Sequence, residues 1–246
     1  MRGWWQELAG LVLPSDCAGC GAPRPLLCEA CRGVLAGAGA GPVRPQPWDG
    51  GPEGLPPVYA AARYEGAVRA VVLAHKERGA LPLAGPLGAA LAAAVSAAAV
   101  SAPRAAAAGA GGAAGELVLV PVPSARRAVR ARGHDATRRT ALAASRRLRG
   151  AGAPARVAPV LRLRRQVADQ AGLGARQRQR NLAGALEVRP GGMRLVEGAR
   201  IVVVDDVVTT GATLAEAARA LRAAGLWADA AAVVAAPSGS FTRARC

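Results

Sequence analysis

Four β-branched residues, Ile201-Val202-Val203-Val204, end in two adjacent carboxylates, Asp205 and Asp206, and no other segment restricts the fold as strongly. A run this apolar forms a strand buried on both faces, as the inner strands of a parallel sheet are. Val207 and Val208 lead into a loop of small and hydroxyl residues, Thr209-Thr210-Gly211-Ala212-Thr213. Leu214 then opens a helix running to Ala224, which Gly225 stops. Strand, loop and helix in this order predict an α/β fold, a mostly parallel sheet with flanking helices. Ligands of such sheets bind at the carboxyl ends of the strands, where these two carboxylates stand.

Each part of the segment has a chemical use. A helix N-terminus leaves amide N–H groups unpaired and carries partial positive charge, which suits a phosphate monoester. Gly211 lets the backbone approach that phosphate, and the threonine hydroxyls add donors. Adjacent carboxylates accept hydrogen bonds from vicinal hydroxyls such as those of a ribose. A phosphate site beside a diol site describes a ribose 5-phosphate. An ordinary strand–turn–helix with one capping residue explains one Asp or one Thr, but not two Asp, three Thr and Gly at this spacing.

The rest of the chain alternates in the same way. Val58–Ala61 reads as a strand, followed by a turn at Tyr64-Glu65-Gly66 and a helix through Val68, Val71, Val72 and Leu73 that ends near Gly79. Residues 84–99 read as a second helix. Leu117–Val122 is a β run, Ala136–Leu148 a helix with Gly150 as its cap, Val157–Leu161 a strand, 173–182 loop and helix, and Ala228–Ala235 a final strand. Residues 38–57 are rich in Gly and Pro and read as a linker, and 101–115 as a low-complexity surface insertion. The expected division is a helix and cysteine module over 1–37, the linker over 38–57, and one α/β domain over 58–246.

Four of the five cysteines stand as Cys17-x2-Cys20 and Cys28-x2-Cys31. Two such pairs supply four thiolates for a tetrahedral Zn²⁺, and Gly19 and Gly21 allow the tight turns this needs. Two disulfides are the rival reading, and a reducing compartment argues against them. Four thiols leave no place for water, so such a metal is structural. Cys246 has no neighbour and is assigned nothing.

Charge is unevenly spread. The chain carries a formal charge of +16, and residues 126–180 hold sixteen Arg against Asp135 and Asp169. Such a field attracts phosphates, although a solvated basic surface in an Arg-rich chain accounts for it equally well. Lys76 is the single lysine, standing against that bias, and is a candidate phosphate contact. Trp4, Trp5, Leu8, Leu11 and Val12 share one helix face, which packs on its own domain or touches a membrane or partner. No signal peptide is read, and charge is expected to break every long apolar run, so no transmembrane segment and a cytoplasmic location are expected.

The segment 201–214 resembles the motif with which type I phosphoribosyltransferases bind 5-phosphoribosyl-1-pyrophosphate (PRPP). More narrowly, the chain resembles the ComF competence family. The resemblance rests on the cysteine pairs, Tyr64-Glu65-Gly66, Lys76 to Gly79, Pro121-Val122-Pro123, Arg132-Gly133, Gln170, Arg176, Asn181 and the PRPP motif, in that order. It implies a type I phosphoribosyltransferase fold with a small N-terminal zinc-ribbon-like module. It also implies displacement of pyrophosphate from C1 of PRPP by a nitrogen nucleophile, with Mg²⁺ bound alongside PRPP.

The resemblance further assigns roles. Asp205, Asp206 and Arg132 would carry the chemistry. Thr209, Thr210, Gly211, Ala212, Thr213, Val122, Pro123, Lys76 and Arg176 would hold PRPP and its phosphates. The family follows Arg-Gly with Phe-Asn-Gln, whereas His134-Asp135-Ala136 stands here. His134 is then either a general acid or base or, more in keeping with a lone histidine, a surface residue. The implied partners are PRPP, single-stranded DNA and the DNA-uptake machinery. The alternatives are a non-catalytic PRPP sensor and a basic nucleic-acid-binding accessory of competence.

Overall fold

A computed structural model describes residues 16–23, 26–36, 39–45, 52–101, 115–165 and 181–241. The Trp4/Trp5 stripe, residues 102–114, Gln170, Arg176 and Cys246 lie outside them. In chain order the described elements are α1 (Glu29–Leu35), β1 (Gly41–Val43), β2 (Val58–Arg63), α2 (Gly66–Glu77) and α3 (Ala84–Ser101). Then come β3 (Leu117–Pro121), α4 (Arg126–Arg132), α5 (Ala136–Gly150), β4 (Ala155–Val157), β5 (Leu161–Leu163) and β6 (Leu186–Val188). The last three are β7 (Arg200–Val207), α6 (Ala212–Arg222) and β8 (Ala230–Ala236).

Six strands form one sheet in the order β1-β2-β8-β7-β3-β4, parallel except for β1, and β5 pairs with β6 in a separate antiparallel hairpin. The chain is therefore α/β with a mostly parallel sheet, as its buried aliphatic strands require. Side chains alternate across that sheet. Val202 and Val204 of β7 join Leu119 and Ala232 in a core with α2, α3 and α5. Ile201 and Val203 join Val118, Val120 and Val233 in a second core with α6 and the hairpin. Both faces of β7 are covered, so every residue from Ile201 to Val204 is apolar. At the strand's start the buried Asp229 carboxylate accepts a hydrogen bond from the Ile201 amide at 2.8 Å.

Several boundaries differ from the sequence reading. The supposed linker contains β1, which pairs with β2 through Pro42 opposite Tyr59. Three residues of edge strand carry too little pattern to stand out from Gly and Pro. Val157–Leu161 is not one strand: β4 belongs to the large sheet and β5 to the hairpin, with Ala158–Val160 between them. Gly150 lies within α5, and Ala151 caps it. α4 and β6, both short, were not foreseen.

The expectation about apolar runs also fails. Leu81–Ser101 carries no charged side chain and is long and apolar enough to cross a membrane by length and composition. Here α3 lies against the sheet and α5 instead, with 56% of its most apolar window buried. At its crossing with α5, a Cβ on Gly88 would come within 2.9 Å of the Ala144 backbone nitrogen. The two helices approach closely because small residues face each other.

Candidate functional site

The burial of β7 relaxes after Val204, and the strand delivers Asp205 and Asp206 to its carboxyl end. Each carboxylate is fixed locally: Asp205 Oδ1 accepts from the Asp206 amide, and Asp206 Oδ1 from the Val207 amide, both at 2.9 Å. Beside them β3 ends at Pro121, whose missing N–H closes that ladder. The Val122 amide donates to Val204 O at 2.9 Å, which sets Val122 and Pro123 next to the carboxylates.

Lys76 comes from the other side. A left-handed Gly79 follows α2, with the Ala80 amide donating to Ala74 O, so the helix stops one residue beyond the lysine. Its ammonium meets Asp206 Oδ2 at 2.5 Å, where the Asp206 side chain is 13% exposed. Burial opposes charge on Lys76, but the carboxylates of Asp206 and Asp205 outweigh it and hold the ammonium protonated, above an ordinary lysine. The two aspartates diverge. Burial and the negative Asp206 push Asp205 well above the usual carboxylate range, and Lys76 offsets this only in part. Burial acts on Asp206 too, but the ion pair with Lys76 overcomes it and holds the group low.

The loop after β7 places its hydroxyls unequally. Thr209 is exposed, Thr210 is buried with Oγ1 accepting from the Ala212 amide at 3.4 Å, and Thr213 is half-buried. Gly211 caps α6 with φ 77°, a conformation suited to glycine, and a Cβ there would come within 3.0 Å of Leu55 Cδ2. Ala212 begins the helix, two residues before the expected Leu214.

A groove of about 700 Å³ opens beside these parts and takes in some of them. Its walls include Lys76, Val122, Pro123, Arg132 and Thr213, with Leu163, Leu182 and Leu186 forming an apolar side. Arg132 ends α4, and its guanidinium bridges to Glu77 Oε1 at 3.3 Å while Nε donates to Ala128 O. Asp206 is tied to this wall through its ion pair with Lys76, and Asp205 is its neighbour on β7. Arg176 lies outside the described residues.

Against the expectation of a surface residue, His134 is buried, at 8% exposed. Its Nδ1 lies 3.0 Å from Arg132 O and its Nε2 3.1 Å from His75 O. The ring thus ties the turn after α4 to the last turn of α2, and the His75 ring stands 5.5 Å away. Sequence reasoning passed over His75, Glu77 and the leucine wall. One signal was present: the chain has two histidines, each within two residues of a candidate site residue.

The four cysteines of the N-terminal pairs also converge. Their sulfurs all lie within 4.8 Å of one another, and the Cys28 amide donates to Cys17 Sγ at 3.3 Å. A Cβ on Gly19 would come within 2.7 Å of Cys31 Sγ, so glycine there permits the close approach. Burial resists ionisation of Cys17, but the backbone N–H groups of Cys28, Cys20 and Gly19 prevail and bring it to about 6. Burial and the other sulfurs push Cys31 upward. One thiol poised as thiolate among three others suits a soft divalent ion, so the set can hold a structural metal such as zinc.

Compared with known proteins, the chain finds no match among curated sequences. Residues 161–243 match the phosphoribosyl transferase domain family. That span runs from β5 through β8 and contains the whole Ile201–Leu214 segment, while the cysteine cluster, Lys76, Val122-Pro123 and Arg132 precede it. A phosphoribosyltransferase-like PRPP motif and a metal-competent four-cysteine cluster are thus joined in one chain.

Proposed function

We propose that the groove binds PRPP with Mg²⁺ and transfers its 5-phosphoribosyl group to a nitrogen acceptor. The observation that carries this reading is the Asp205–Asp206 pair at the end of β7, beside the loop that opens α6 and under the Lys76 ammonium. The first amides of α6 and the hydroxyls of Thr209, Thr210 and Thr213 hold the 5-phosphate. Asp205 and Asp206 accept from the ribose hydroxyls and favour positive charge developing at C1. Lys76 and Arg132 neutralise the pyrophosphate, beside the Val122-Pro123 backbone. Hard carboxylate oxygens suit Mg²⁺, which when bound with PRPP eases departure of pyrophosphate. The C1–O bond to pyrophosphate breaks, a C1–N bond forms, and the acceptor nitrogen releases its proton to solvent.

The order of cysteine pairs, Lys76, Pro121-Val122-Pro123, Arg132-Gly133 and PRPP motif supports membership of the ComF family, with structural Zn²⁺ and a cytoplasmic setting. One observation favours a second reading, an accessory that handles imported single-stranded DNA: the concentration of arginine over 126–180. Pyrophosphate release from PRPP and Mg²⁺, assayed across nucleobases and short single strands, separates the two. Release that depends on one acceptor and disappears in Asp205→Asn/Asp206→Asn establishes the transferase. PRPP binding without release from any acceptor contradicts it and leaves a sensor or the DNA role.

A further inference from the structure

Resting on the PRPP reading, we propose that a second groove, between α4 and the β5–β6 hairpin, is the acceptor subsite and selects a small acceptor bearing a carboxylate or phosphate. This groove has a volume of about 500 Å³ and opens from the PRPP groove: Ala125, Arg127 and Leu163 line both. Five arginines converge on it, Arg126 and Arg127 from α4 and Arg162, Arg164 and Arg165 from β5 and its end. Among the described residues its lining holds one carboxylate, Glu187, which Arg162 engages at 2.8 Å across the hairpin. Arg165 is held in place by donating to Asn181 O and Ala183 O at 2.8 and 2.9 Å. Among the described residues, Arg126, Arg127 and Arg164 make no ion pair.

Like charges gathered in one recess repel, and an anion relieves that repulsion. Planar guanidinium forks arriving from two elements match the oxygens of a carboxylate or phosphate. The phosphates of PRPP have partners elsewhere, at the start of α6 and at Lys76 and Arg132. The anion received here therefore belongs to the second substrate. Size and lining favour a small molecule over a polynucleotide. The volume suits a small ligand, and among the described residues no aromatic ring lines the groove to stack successive bases.

The test uses two pairs that differ by a carboxylate, orotate against uracil and nicotinate against its near-isostere nicotinamide, with inorganic phosphate and oligothymidylate as further probes. Each is titrated calorimetrically onto the full chain, with and without saturating PRPP. At least one small anion binds while its neutral partner binds about tenfold more weakly or not at all. Arg126→Gln/Arg164→Gln, at two arginines that line this groove and not the PRPP groove, weakens that anion about tenfold, as expected for loss of charge-assisted contacts, and leaves PRPP affinity within about twofold. Arg146→Gln/Arg147→Gln, which removes equal charge from the exposed face of α5, changes neither. Equal binding of neutral and anionic partners, binding of no small anion, an equal loss in the α5 variant, or arginine-dependent binding confined to oligothymidylate overturns the proposal. Failure of PRPP itself to bind, with anions still bound through Arg126 and Arg164, overturns the PRPP reading instead.

Discussion

Asp205 and Asp206 differ in chemical character although they are neighbours on one strand. The ordinary value for both is 3.8. Folding raises Asp205, so its contribution to stability is lost as pH climbs from 3.8 toward its folded value. Folding lowers Asp206, so its contribution is present above 3.8 and lost as pH falls below that. At pH 7 the two substitutions should therefore act in opposite directions in the free protein. Asp205→Asn keeps an oxygen for the Asp206 amide, relieves a buried charge and raises Tm by about 2–4 °C. Asp206→Asn leaves Lys76 without its counterion. Because Lys76 is 36% exposed and partly screened, the loss is about 1 kcal/mol, again about 2–4 °C, downward. Thermal melts at pH 7 and pH 4 check both signs. At this scale the carboxylates, threonines and Gly211 were legible in the sequence, because a polar pair after four buried β-branched residues has few structural explanations. The pairing of His75 with His134 was not, since it joins residues 59 apart by backbone carbonyls.

At the scale of elements, α6 is held to the hairpin that walls the groove by one buried carboxylate. Glu216 accepts from the Leu186 amide at 2.9 Å and from Arg219 Nε and Nη2 at 2.7 and 2.8 Å, and Arg219 also donates to Leu186 O. Burial raises Glu216, but the Arg219 guanidinium and the Leu186 amide prevail and keep it below its ordinary 4.5. Its stabilisation is thus present above pH 4.5 and lost as pH falls below it. Glu216→Ala leaves the Leu186 amide unsatisfied and should cost about 1–3 kcal/mol, read by denaturant unfolding, with a smaller difference from wild type at pH 4 than at pH 7. Long elements such as β7, α3 and α5 were readable from their patterns. The three-residue strands β1, β5 and β6 were not, because a hairpin that packs against a helix needs only one or two apolar positions. α3 misled in another way: its composition satisfies a membrane span, and only the sheet and α5 give its apolar faces a partner.

At the scale of the molecule, the cysteine module and the groove share one core. Cys17, Cys31 and Leu35 pack with Val68, Val71 and Val72 of α2, the helix that brings Lys76 to Asp206. Removing a metal from the cysteines should therefore lower Tm and weaken PRPP binding together, as a chelator titration followed by melting and calorimetry would reveal. This link was invisible in the sequence, where nearly sixty residues separate Cys17 from Lys76, whereas the cysteine pairs themselves announced their chemistry by spacing. The central claim is that Asp205, Asp206 and Lys76 form a PRPP site, and calorimetric titration of PRPP with Mg²⁺ onto wild type and Asp205→Asn/Asp206→Asn tests it most directly. The account predicts one PRPP bound per chain in the wild type and affinity at least about a hundredfold weaker in the folded variant, the loss of roughly 3 kcal/mol expected for hydrogen bonds to charged groups. Equal affinity in the two proteins, or no binding to the folded wild type, would contradict it.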